Sequence, residues 1–150
     1  MRYLVLSDIH ANIDALDAVM EDAARRAYGQ VLLLGDLVGY GAAPGAVIDR
    51  IRALPLAAAV RGNHDKVVAG LADGEDFNAN ARRAAAWTAS VLTPEHRAYL
   101  ARLPAGPAFL EDAVELCHGS PENEDLYVFD SLDAIASLQA SRRPLCLFGH

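Results

Sequence analysis

Five short apolar runs in this chain each end in a residue able to bind a metal ion, and helical patterns separate most of them. Leu4-Val5-Leu6-Ser7 leads into Asp8 and His10, and Leu32-Leu33-Leu34-Gly35 leads into Asp36. Ala59-Val60-Arg61-Gly62 is followed by Asn63, His64 and Asp65. Glu115-Leu116-Cys117 runs into His118, and Leu147-Phe148-Gly149 into His150. Such alternation is the signature of an α/β fold with crossover helices. In open α/β sheets ligands bind beyond the carboxyl ends of the strands, so these five loops are expected to converge.

The remaining pattern predicts one domain over residues 1–150. Strands are expected over 3–6, 31–34, 56–60 and 145–148, with 107–110 and 114–117 forming a hairpin across an acidic turn. Asn12 can cap a helix over 13–27, where Ile13, Leu16, Val19 and Met20 recur at helical spacing. Pro44 opens a helix to about 54, and Asn78 caps an alanine-rich one to about 92. Thr93-Pro94 opens another helix that ends near 103, and Ser131 caps the last. Trp87, with apolar neighbours on its helix, is expected in the core. No repeat, low-complexity tract or linker breaks the chain.

Charge narrows the partners. Lys+Arg 13 against Asp+Glu 20 gives a net charge of −7, without a basic stripe. Nucleic-acid attraction needs clustered Lys and Arg, so no stable nucleic-acid binding is expected, and an anionic substrate needs a local positive centre such as a metal. No apolar stretch approaches the roughly 20 residues of a membrane span. Cys117 and Cys146 lack CxxC spacing and read as small buried residues of a cytoplasmic protein without a disulfide.

Histidine placement points to metal chemistry. His10, His64, His118 and His150 all sit at strand ends, and only His96 lies elsewhere, as an expected surface residue. Carboxylates, imidazoles and one amide oxygen, without thiolate, suit Mn, Fe, Zn, Co or Ni better than a structural cysteine-zinc site. The candidates are too many for one ion. Two cations about 3.5–4 Å apart are the common device for in-line displacement at phosphorus.

Asp8-Ile9-His10, the GDLVGYG stretch from Gly35, Gly62-Asn63-His64-Asp65, His118-Gly119 and Gly149-His150 resemble the five motifs of the calcineurin-like metallophosphoesterases, in the family's order. GNHD after a strand is a specific signal, whereas DxH alone is weak. GDLVGYG, FNANARRAAAWT and HGSP are further similar to a bacterial phosphodiesterase-like branch. The resemblance implies a four-layer α/β/β/α sandwich and two divalent transition-metal ions, manganese foremost. It also implies hydrolysis of a small phosphodiester by a metal-bridging hydroxide. By resemblance, Asp36 bridges the ions, Asp8 and His10 serve the first, and Asn63, His118 and His150 serve the second. His64 is implied as a non-ligand that assists the leaving group.

Two departures qualify the likeness. The protein-phosphatase branch carries GDxVDRG, where an Arg clamps phosphate and an Asp orients the catalytic His. Here those positions are Tyr40 and Gly39. Loss of the bidentate fork weighs against the alternative, a phosphomonoesterase or protein phosphatase. The family's last motif is GHxH, and this chain stops at its first His. A truncated chain with an incomplete second sheet and a first metal site one ligand short is therefore expected. For such a piece a non-catalytic scaffold on the same fold is a further alternative. Asn12, Tyr40 and residues 78–87 are expected to border the site.

Overall fold

A computed structural model describes residues 1–150. The elements run β1 (Tyr3–Leu6), α1 (Ile13–Ala24), β2 (Gln30–Leu33), α2 (Pro44–Arg52), β3 (Leu56–Ala59) and α3 (Asn63–Val68). There follow α4 (Ala79–Val91), α5 (Pro94–Arg102), β4 (Ala108–Leu110), β5 (Val114–Leu116), α6 (Ser131–Ala140) and β6 (Leu145–Leu147).

The first sheet is all parallel, with β2 between β1 and β3. A parallel sheet is covered on both faces, and β2 shows it by alternation. Val31 and Leu33 enter the larger core with Leu16 and Met20 of α1, Ile48 and Ile51 of α2, and Leu100 of α5. Leu32 and Leu34 point the other way and meet Val60 and Leu116 between the two sheets. The second sheet pairs β4 with β5 antiparallel and β5 with β6 parallel. This is the expected metallophosphoesterase-type α/β/β/α architecture, with three strands in the second sheet. No helix is long and apolar enough to cross a membrane.

The loops that follow the strands are tied to one another. Asp8 and His10 donate their backbone N–H to the carbonyls of Gly35 and Asp36 at 3.1 and 3.0 Å. Gly149 N–H donates to His118 O at 2.9 Å. His118 crosses from the second sheet to the first, its Nδ1 lying 2.7 Å from Leu34 O.

Several local expectations need correction. Helix α1 ends at Ala24, short of residue 27, and Ala27 turns to φ 51. Asp130, not Ser131, caps α6, accepting from Leu132 and Asp133 N–H at 2.8 and 3.0 Å. Trp87 is 44% exposed, because α4 buries the stripe Ala81, Ala85 and Thr88 and Trp87 falls outside it. His96 is no free surface residue: its Nε2 pairs with Asp49 at 3.1 Å and joins α5 to α2. Cys117 is buried and Cys146 half-buried, both free.

Candidate metal centre

Backbone geometry singles out the strand-end loops before any side chain is considered. Asp8, His10, Ala11, Asp36, Tyr40 and His150 all have positive φ, and only Ala27 and Glu111 among non-glycine residues do so elsewhere. A left-handed backbone costs a non-glycine residue about 1 kcal/mol or more, so such clustering marks a functional site. Two glycines permit the crowding. A Cβ on Gly62 would strike the Asp36 carboxylate, and one on Gly35 (φ 92) would strike the Gly62 backbone.

Asp36 stands at the centre, 2% exposed. Its Oδ1 accepts from His64 N–H at 2.9 Å. Its Oδ2 lies 3.6 Å from His10 Nε2 and 3.5 Å from His118 Nε2. Both rings are oriented from behind: His10 Nδ1 is 3.1 Å from Val38 O, and His118 Nδ1 faces Leu34 O. A carbonyl only accepts, so each Nδ1 carries the proton, and Nε2 of the neutral ring is left to bind a cation.

Two groups of donor atoms fall within 4.8 Å of one another and could hold an ion: His10, Asp36 and His64, and then Asp36, His118 and His150. Asp36 belongs to both. Asp8 adjoins them, with Oδ1 3.8 Å from His10 Nε2 and Oδ2 accepting from His150 N–H at 3.2 Å. Asn63 Oδ1 accepts from the same His64 N–H as Asp36, at 3.0 Å. Asn63 begins α3 and does not adopt a left-handed turn conformation. The buried Nε2 atoms of His118 and His150 have no hydrogen-bond partner. Buried polar atoms are normally satisfied, and two unpartnered imidazole nitrogens beside a shared carboxylate fit divalent cations.

Electrostatics agree. Burial pushes the Asp36 carboxyl up, but His118, His64 and His10 outweigh it and hold the group below the ordinary carboxylate range. Burial pushes His118 down, yet the Asp36 carboxylate 3.5 Å from its Nε2 carries it up to about 9. Burial lowers His64 below the ordinary imidazole range, against the pull of Asp36. His118 is therefore protonated at neutral pH in the metal-free protein, whereas a ligand must be neutral. Metal binding at pH 7 is expected to release about one proton from this ring, and affinity should rise with pH until about 9. Calorimetry in buffers of different ionisation enthalpy measures that proton; zero release would contradict the His118 assignment.

Asp65, left without a role by its neighbours in sequence, is a backbone clamp. It is fully buried, and Oδ1 accepts from Leu37 and Val38 N–H at 2.9 and 3.2 Å. Its Oδ2 accepts from Gly62 N–H at 3.0 Å, so one carboxylate ties the Asp36 loop to the start of α3. Burial raises this carboxyl to about 7, helped by the Asp36 charge and opposed by the amide hydrogen bonds. Asp65 thus makes its bonds to backbone and leaves His64 alone. His64 Nδ1 is buried without a partner, packed where a Cβ on Gly39 (φ 91) would collide with it. Tyr40 stands 4.6 Å from the His64 ring and 5.0 Å from His10, centroid to centroid.

The sequence profile of the calcineurin-like phosphoesterases matches residues 1–150, the whole chain. This chain is a calcineurin-like phosphoesterase family member. The chain is similar to a metallophosphoesterase of Sphaerobacter thermophilus of known crystal structure, with TM-score 0.85 and 37% identity over 100% of this chain and 60% of that one. A hypothetical protein of Pyrococcus horikoshii shares the fold at TM-score 0.80 and 22% identity, over 99% of this chain and 69% of that one. An uncharacterized protein of Methanocaldococcus jannaschii is 34% identical over 130 residues. That match covers 83% of this chain and 52% of the relative, so the chain spans about half the length of the curated relative.

The structure brings Asp8, His10, Asp36, Asn63, His64, His118 and His150 together at one edge of the two sheets. Asn12 caps α1 through Ala15 N–H and takes no part in the neighbouring cleft, which Tyr40 and Asn78 do line. Sequence reasoning missed Phe77, 4.5 Å from His64, and Tyr127, stacked on His150 at 3.7 Å. Phe77 opens the FNANARRAAAWT stretch, which gave it no role, and Tyr127 carries no local signal, since both contacts join separate loops.

Proposed function

We propose that this chain forms the centre of a dinuclear metal-dependent phosphodiesterase. The observation that carries the reading is Asp36 Oδ2, placed almost evenly between His10 Nε2 and His118 Nε2 at 3.6 and 3.5 Å. In this reading Asp36 is shared, Asp8 and His10 hold one ion, and Asn63, His118 and His150 hold the other. Manganese heads the candidate ions, with Fe, Zn, Co and Ni also suited to the O/N donor set. Bound there, the cations would polarise the phosphoryl oxygens and lower the pKa of water.

The chain's own residues complete the chemistry. The Val38 and Leu34 carbonyls fix the His10 and His118 rings. His64 sits beside the shared carboxylate and lines the adjoining cleft, a position suited to supplying a proton to the departing oxygen. Since His64 titrates below the ordinary range, this help is lost as pH rises through its pKa. A second reading has its own observation: His64 groups with His10 and Asp36 as a candidate ligand. Residues 1–150 act as one domain in this account. The two unbonded thiols, Cys117 and Cys146, 3.7 Å apart, suit a cytoplasmic protein.

Diesters are favoured over monoesters because Tyr40 stands where a phosphate-clamping arginine belongs in the phosphatase branch, and no free guanidinium replaces it. Arg61 is committed to Glu124 through two 3.0 Å bonds. A missing charged hydrogen bond to a dianion is worth roughly tenfold in rate. The full-length, Mn²⁺-loaded protein should therefore show a kcat/KM at least about tenfold higher for bis(p-nitrophenyl) phosphate than for p-nitrophenyl phosphate. Faster turnover of the monoester would contradict the proposal.

A further inference from the structure

Beside the shared carboxylate lies a cleft of about 310 Å³ that opens on His64 and His150. Its walls come from three loops, the first and last of which also carry Asp36 and His118. Tyr40 follows β2, Phe77 precedes α4, and Tyr127 lies between β5 and α6. Phe77 and Tyr40 are 4.5 and 4.6 Å from the His64 ring, while Tyr127 stacks on His150 with the planes 19° apart. Tyr127 is stacked on its other side by Phe129, 5.0 Å away, so the aromatic surface beside the opening comes from Phe77 and Tyr40.

The charge on this cleft has one sign. Asp73, Glu75, Asp76 and Asp125 line it, against a single cation, Lys66. Lys66 is already matched, its ammonium 3.0 Å from Glu124 and 2.5 Å from Asp125. No positive group in the cleft is free to meet a second phosphate.

We infer that the cleft is the leaving-group subsite and that it takes an uncharged or amino-bearing aromatic alcohol of nucleoside type, while refusing a polyphosphate. The inference rests on the phosphodiesterase reading above and sharpens its substrate class. Flat rings gain from stacking on aromatic side chains whatever the base. Carboxylates at the rim accept hydrogen bonds from exocyclic amino groups. Each added phosphate instead brings like charge toward four carboxylates, which selects against it. The positive centre that receives the scissile phosphorus lies at the inner end, so the two ends of the site sort a diester by polarity.

The test compares two substrates with the same bases, a dinucleoside monophosphate and a dinucleoside tetraphosphate, on the full-length Mn²⁺-loaded protein, with bis(p-nitrophenyl) phosphate as the activity control. The monophosphate should have a kcat/KM at least about tenfold higher, and added salt should narrow the gap. A combined Asp73→Asn, Glu75→Gln, Asp76→Asn variant should narrow it too, by raising the tetraphosphate value more than the monophosphate value. The Asp73 change keeps the oxygen that accepts from Glu75 N–H at 3.1 Å. Phe77→Leu, which retains apolar bulk, should raise KM for the monophosphate substrate about tenfold with little change in kcat. Equal rates on the two substrates, a preference for the tetraphosphate, or a ratio unmoved by the charge-neutral variant would each overturn the inference. Failure to hydrolyse the control would sink the phosphodiesterase reading instead. Equilibrium dialysis with adenosine then decides the cleft alone: saturable binding weakened by Phe77→Leu supports it, and no binding overturns it.

Discussion

Asp36→Asn is expected to lose metal and activity together. The substitution keeps an oxygen for His64 N–H, 2.9 Å away in the parent, so the loop geometry is retained. It removes the one negative charge placed between the His10 and His118 nitrogens. Changes to the partners of metal ligands alone cost 10–100-fold in affinity, so removing a shared carboxylate should cost more than about 10²-fold at both ions. Diesterase activity should fall to background. Metal analysis and circular dichroism of the same sample check this; a folded variant that retains two ions and activity would contradict the role of Asp36.

His64→Ala separates the two readings of that ring. As a non-ligand supplying a proton, it should retain both ions and lose roughly 10²–10⁴-fold in rate. The loss should be smallest for substrates with good leaving groups such as p-nitrophenolate, which need little protonation. The Asp36–His64 bond uses backbone N–H and is retained, while Tyr40 and Phe77 lose the ring they pack against. Loss of one ion on this substitution would instead make His64 a ligand, as its grouping with His10 and Asp36 allows.

The elements that read clearly from sequence are those with long-range-independent signals. Strand β1 falls where the apolar run lies, Asn12 and Asn78 cap their helices through side-chain oxygens as expected, and Thr93, read as part of a helix opening, caps α5. Helix α3 was not legible. It spans six residues from the Asn63-His64-Asp65 motif onward, too short for a periodic apolar face, and its N-cap is Gly62, which has no capping side chain. Trp87 shows that neighbouring alanines do not fix which face of a helix is buried; the elements it packs against, α3 among them, do.

The candidate site shows the same division. Strand-end placement pointed to Asp8, His10, Asp36, Asn63, His64, His118 and His150, because the parallel topology carries those loops to one edge. Their distances could not be read, and neither could the residues that support them. Asp65 acts through backbone amides 27 and 28 positions away, and Leu34 O orients His118 across 84. Such contacts depend on how two sheets stack, which local pattern does not encode. Glycine at position 39 had a legible meaning only as a lost aspartate; in the structure it makes room for His64.

The central claim, a pair of divalent ions held by a shared Asp36, is tested most directly by metal stoichiometry against activity. Full-length protein stripped by exhaustive chelation and then titrated with Mn²⁺ should bind two ions per chain. Activity on bis(p-nitrophenyl) phosphate should be absent after stripping and return as the second ion binds. Activity that persists after complete removal of metal, or that never returns at any stoichiometry, would contradict the account.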